Sequence, residues 1–88
     1  MEFEFDPKKS LSNYQKHGID FIDAQLLWED SNLLSLEAKE VDEPRTLFIG
    51  KINSKHWSAI ATKGKENIRI ISVRRARIQE IELFETLI

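Results

Sequence analysis

Polar and apolar positions alternate at the start of the chain, in Glu2-Phe3-Glu4-Phe5, which predicts a short strand with Phe3 and Phe5 on one face. The period then lengthens. Asp6 is a good N-cap and Pro7 suits the first helical position, so a helix is expected from Pro7 to about His17, closed by Gly18. Leu11 and Tyr14, with Ile19 beyond, supply its core side, while Lys9, Asn13, Lys16 and His17 fall on one polar stripe. Asp20 caps a second helix in which Phe21, Ala24, Leu27 and Trp28 hold helical spacing, and Asp30-Ser31-Asn32 stop it.

From Leu33 the pattern becomes strand-like, with Leu34, Leu36 and Ala38 alternating with Ser35, Glu37 and Lys39. An acidic loop is expected from Glu40 to Pro44, then strands over Arg45–Ile52 and His56–Thr62, joined by a tight turn at Asn53-Ser54-Lys55. Lys63-Gly64-Lys65-Glu66 turns the chain into a last strand that starts at Asn67 and runs into Arg74-Arg75-Ala76-Arg77. Such short connections make these four strands an antiparallel meander. Ile78, Ile81, Phe84 and Ile88 suggest a final helix, with Leu83 and Leu87 broadening its apolar side. The expected class is α+β: a twisted antiparallel sheet, made of the four-strand meander plus the short N-terminal strand. Two N-terminal helices and one C-terminal helix pack against one side, and the opposite sheet face is left for a site.

Composition narrows the function more than the fold. Eighty-eight residues make a single domain, 1–88, and the 41% hydrophobic, 32% charged content is that of an ordinary soluble protein. There is no Cys, no apolar run of transmembrane length, and the acidic N-terminus does not read as a signal peptide, so a cytoplasmic location is expected. The net charge of −2 conceals an asymmetry. Residues 1–44 carry four Lys/Arg against eleven Asp/Glu, whereas residues 45–88 carry nine against four. That split suggests one face for an anion and another for a basic partner.

Four arginines, Arg69, Arg74, Arg75 and Arg77, crowd the last strand and the segment after it. Planar guanidinium forks at the end of a rigid strand suit phosphate. Regular pleating would set Ile68, Ile70 and Ser72 on one face with Arg69, Ile71 and Val73 on the other, and would send Arg74 and Arg75 to opposite sides. His17 has an unperturbed pKa near neutrality, fit for proton exchange, and equally fit to complement a helix C-terminus. His56 reads as structural or exposed. Two histidines without Cys or clustered carboxylates give no metal-ligand spacing, and there is no phosphate loop or nucleophile elbow. No cofactor is implied. RNA cleavage needs neither metal nor enzyme nucleophile, because the 2′-hydroxyl attacks the adjacent phosphorus; the protein supplies charge and proton transfer.

Two stretches bear a resemblance. Phe3-Glu-Phe-Asp-Pro-Lys-Lys9, Asn13, Lys16-His-Gly-Ile19, Phe21 and Ala24 resemble the N-terminal signature of the BrnT family, and Arg69-Ile-Ile-Ser-Val-Arg-Arg-Ala76 with Glu80 resembles its C-terminal one. The resemblance implies a RelE-like fold and a metal-independent ribonuclease toxin of a type II toxin–antitoxin pair that inhibits translation. It implies a BrnA-like ribbon-helix-helix antitoxin, with DNA reached only through the toxin–antitoxin complex at its own promoter, and no membrane. Arg74 and Arg75, assisted by Lys9, would neutralise phosphate charge, with His17 first and Glu80 second for proton transfer. Lys16, Asn13, Arg45, Arg69 and Ser72 would contact RNA. The family often has Tyr where this chain has Phe84, which would reduce activity if that hydroxyl serves substrate. The alternatives are a non-catalytic RNA- or protein-binding module, or a degenerate toxin kept for its regulatory complex.

Overall fold

A computed structural model describes residues 1–38 and 44–87. The acidic loop expected at 40–44 therefore lies outside the described residues apart from Pro44, as does Ile88. Five strands, β1 (Glu2–Glu4), β2 (Leu34–Ala38), β3 (Arg45–Ile52), β4 (Lys55–Lys63) and β5 (Asn67–Arg75), form one sheet in the order β1-β5-β4-β3-β2. The meander β2–β5 is antiparallel throughout, as short connections require. Its β3–β4 turn is the two-residue loop Asn53-Ser54, with Asn53 at φ 55°.

β1 departs from expectation. It pairs with β5 in parallel, Glu2 to Asn67 and Glu4 to Arg69, so the sheet is mixed rather than purely antiparallel. The short loops fixed the direction of the other four strands. No short connection joins β1 to β5, so nothing local dictated its direction.

Helix α1 (Pro7–His17) has the expected bounds, and its ends show why. The Asp6 carboxylate accepts from the Lys8 amide at 2.9 Å, Pro7 stands at N1, and Gly18 takes the left-handed φ of 76° that a side chain would resist. The second helical segment (Asp23–Glu29) is a 3₁₀ helix and not an α-helix. Its buried residues Ala24 and Leu27, together with Phe21 in the turn before it, recur every third position. That is the period of a 3₁₀ turn, and it stacks all three onto the sheet. The expected Asp20 cap is displaced: the N-cap position is Ile22, which makes no side-chain capping bond, and the Asp20 carboxylate accepts from the Ile22 and Asp23 amides in the turn that leads into the segment.

The principal core lies between this helical layer and one sheet face. Ile19, Phe21, Ala24 and Leu27 pack on Phe48, Ala59, Ala61, Ile68, Ile70 and Val73. Trp28 sits between Phe3 and Phe48, with ring centroids about 5 Å from each. Gly50 permits a close approach of the helical layer: a Cβ there would come within 2.9 Å of Leu33 Cδ1 and 3.1 Å of Leu27 Cδ1.

Helix α2 (Ile78–Leu87) corrects a second expectation, because it packs on the opposite face. Its Glu80 meets Ser58 and Arg74, and its Glu85 meets His56, and these three strand residues point away from the layer that holds Ala59 and Val73. Of its broad apolar side only Phe84 is fully buried; Ile78, Leu83 and Leu87 are exposed. The sheet is thus covered on both sides, more fully on one than on the other. No helix among the described residues is long and apolar enough to cross a membrane.

Candidate active site

The end of β5 is arranged by a bulge. Ile60 pairs with Ser72 and Ala61 with Ile70, leaving Ile71 as the extra residue. Ile70 and Val73 consequently both point into the core, and Arg69, Ser72 and Arg74 share the α2 face with Thr62, Ile60 and Ser58. The expected grouping of Ile68, Ile70 and Ser72 on one face is therefore wrong beyond Ile70, since the bulge resets the alternation. Regular pleating resumes after it. Arg74, opposite Ser58, and Arg75, opposite Trp57, leave on opposite faces.

Arg74 and Glu80 form a two-pronged ion pair, Nη1 to Oε1 at 2.7 Å and Nη2 to Oε2 at 2.8 Å. Oε1 also accepts from Ser58 Oγ at 2.9 Å and from the Arg77 amide at 2.8 Å. The last contact is half of a capping box, with Glu80 at N3 reaching back to the residue that precedes α2. Arg74 above all holds the Glu80 carboxyl at about 2, against the opposing effect of burial, with the Arg77 amide and Ser58 assisting. The same bond raises the Arg74 guanidinium. Arg74 spends a further contact on the Arg75 carbonyl at 3.3 Å.

Arg75 is exposed. Its guanidinium lies 5.5 Å from the centre of the Trp57 ring, and Nε donates to the His56 carbonyl at 3.3 Å. Both terminal nitrogens are without a hydrogen bond among the described residues. A fork held at its base and open at its tip is what bidentate phosphate binding uses.

The polar stripe of α1 faces the edge of β5 that short β1 leaves uncovered. Asn13, buried, is its anchor: Oδ1 accepts from the Val73 amide at 3.1 Å, and Nδ2 donates to the Val73 and Ile19 carbonyls at 2.9 and 2.8 Å. Its amide thus stands in for a neighbouring strand. Ser10 is the second tie, its Oγ accepting from the Phe21 amide. Glu4 lies beside Arg69 and Asn13 beside Val73, so α1 advances in the direction of β5. Lys16 and His17, exposed, follow Asn13 by about one turn, roughly 6 Å, toward the Arg75 end. Lys9, exposed, lies one turn the other way.

The remaining predicted contacts are dispersed. Arg69 is exposed, with Glu4 3.7 Å away. Ser72 is half-buried on the α2 face. Arg45 begins β3 at the far end of the sheet, and its Nε is buried with no partner among the described residues. A surface concavity of about 880 Å³ opens beside Trp28 and the β4–β5 turn, at the opposite end of β5 from Arg74 and Arg75.

Two participants had little signal in the sequence. Ser58, buried beneath Glu80, was marked only as the one hydroxyl inside an otherwise apolar run. His56 is partly buried, bonds Glu85 at 2.8 Å and meets the Phe84 ring edge-on at 5.6 Å. Chiefly through that bond, the Glu85 carboxyl is lowered. Phe84 faces inward under α2, away from solvent.

These elements give an uncommitted guanidinium at a strand end, an imidazole and lysines on a helix pinned to the same strand, and a second arginine locked by a carboxylate. Among curated proteins none matches the chain. The family model of the ribonuclease toxin BrnT of type II toxin–antitoxin systems matches residues 5–80, most of the chain, and the protein belongs to that family.

Proposed function

We propose that the protein cuts RNA without a metal ion, at the open edge of β5 between Arg75 and the C-terminal turn of α1. The observation that carries this reading is the Asn13–Val73 clamp, which fixes a helix bearing Lys9, Lys16 and His17 to the strand that bears Arg75. Neutral His17 takes the proton of the 2′-hydroxyl, and the 2′-oxygen attacks the adjacent phosphorus. The bond to the 5′-oxygen breaks, and the imidazolium returns the proton to that oxygen. A 2′,3′-cyclic phosphate and a 5′-hydroxyl result. Arg75 binds the phosphoryl oxygens, and Lys9 and Lys16 hold the flanking backbone, whereas Arg69 and Ser72 lie on the other face of the sheet and take no part in the cleavage.

Glu80 is the weaker candidate for proton transfer, because a carboxyl held at about 2 and bonded by four donors has little affinity for a proton near neutrality. It acts by fixing Arg74, and Asn13 by fixing α1. A BrnA-like ribbon-helix-helix antitoxin neutralises the toxin in the cytoplasm, and the complex represses its own promoter. A second reading draws on the closed Arg74–Glu80 pair: with that arginine satisfied internally, the basic face binds RNA and leaves it whole. Purified protein incubated with RNA and EDTA separates the two. Cleavage leaving cyclic-phosphate ends supports the enzyme; salt-sensitive binding of intact RNA supports the binding module.

A further inference from the structure

The α2 face of the sheet is only half covered. α2 meets the row of Ser58 and Arg74 through Glu80, and the row of Lys51 and His56 through Glu85. A helix about 10 Å across spans roughly two such rows. The next row, Leu36–Leu47–Ile60–Ser72 with the bulged Ile71 beside it, is half-buried and does not belong to the core cluster. Beyond it on the same face stand Arg45, Thr62 and Arg69. Among the described residues the buried Nε–H of Arg45 has no acceptor, and Arg69 has one carboxylate near it, that of Glu4 at a loose 3.7 Å.

The geometry points to this strip as a docking face for a protein segment with aliphatic side chains along one side and Asp or Glu beside them. In a type II pair the antitoxin supplies such a segment, so the inference rests on that reading and adds the surface to it. Half-buried aliphatic side chains spread over four strands favour a protein over a nucleic acid, because none of them offers the aromatic platform on which bases stack. A second copy of this chain is disfavoured by charge. A two-fold contact through the strip would bring a second Arg45 and Arg69 to the same interface with no acid in the strip to meet them, whereas an acidic flank of a partner meets both.

The test is the affinity of the purified protein for the purified antitoxin encoded beside it, with Leu36→Glu combined with Ile71→Glu. The strip predicts binding weaker by about 100-fold or more, with RNA cleavage by the free protein unchanged. If the glutamates disturb folding by circular dichroism, Leu36→Ser with Ile71→Ser takes their place and weakens binding by a smaller factor. Unaltered antitoxin affinity in a folded variant overturns the proposal. So does loss of RNA binding with antitoxin affinity intact, which would give the face to RNA. Failure of the wild-type protein to bind the antitoxin at all refutes the toxin–antitoxin pairing itself, and the docking face with it.

Discussion

Arg74 and Glu80 hold each other by two parallel charged hydrogen bonds, 2.7 and 2.8 Å long, that join the last strand to the last helix. The pair has a pH signature. Glu80 sits at about 2 in the folded protein against 4.5 for an ordinary glutamate. A depressed carboxyl contributes stability that is complete above the unfolded value and is lost as pH falls toward the folded one. Unfolding by urea between about pH 4.5 and 2 should therefore show wild-type stability falling more steeply than that of Glu80→Gln. At pH 7 the variant should be less stable by about 2 kcal/mol, a figure reduced for the partial exposure of Arg74. Parallel pH profiles for the two proteins would show that the pair does not hold α2.

Asn13 has a different task, since it carries no charge and binds only backbone. Asn13→Ala leaves the Val73 amide and carbonyl and the Ile19 carbonyl without partners. The cost expected is about 3 kcal/mol, measured by urea unfolding. Asn13→Asp keeps the acceptor but buries a carboxylate against two carbonyls, so it should cost at least as much. If the alanine variant proved as stable as the wild type, the clamp from α1 to β5 would not be holding the helix.

Gly50 is required by volume rather than by backbone angle. Gly50→Ala drives a methyl into Leu33 and Leu27 and toward the Asp30 carboxylate at 3.1 Å. That carboxylate also accepts from the Lys51 amide at 2.8 Å, so it has little freedom to retreat. A loss of about 1–3 kcal/mol is expected, read as a lower urea midpoint. An unchanged midpoint would mean that the loop before β2 yields freely.

What the chain disclosed in advance follows from how local each cause is. Asp6, Pro7 and Gly18 act within a turn of the helix they delimit, so the bounds of α1 were legible. Short connections determined the meander in the same way. The bulge at Ile71 was hidden, because Ile70 and Ile71 are both apolar and either could have faced the core. That ambiguity moved Ser72 from the expected face. The 3₁₀ segment was readable in retrospect from the three-residue spacing of Phe21, Ala24 and Leu27, but Trp28 made α-helical spacing look equally good. Asn13 gave no hint of its target, since Val73 is sixty residues away. The partition of roles between Arg74 and Arg75 depended on Glu80, whose approach across the β5–α2 turn no local pattern reveals.

The account turns on one arginine being open to phosphate and its neighbour being held. The most direct test measures kcat/KM for RNA cleavage in EDTA together with Tm, for Arg75→Ala and Arg74→Ala. Arg75→Ala should slow cleavage by about 100-fold or more with Tm little changed. Arg74→Ala should lower Tm, because it strands the Glu80 carboxylate. Full cleavage by Arg75→Ala in a folded protein would contradict the assignment of the phosphate to that side chain.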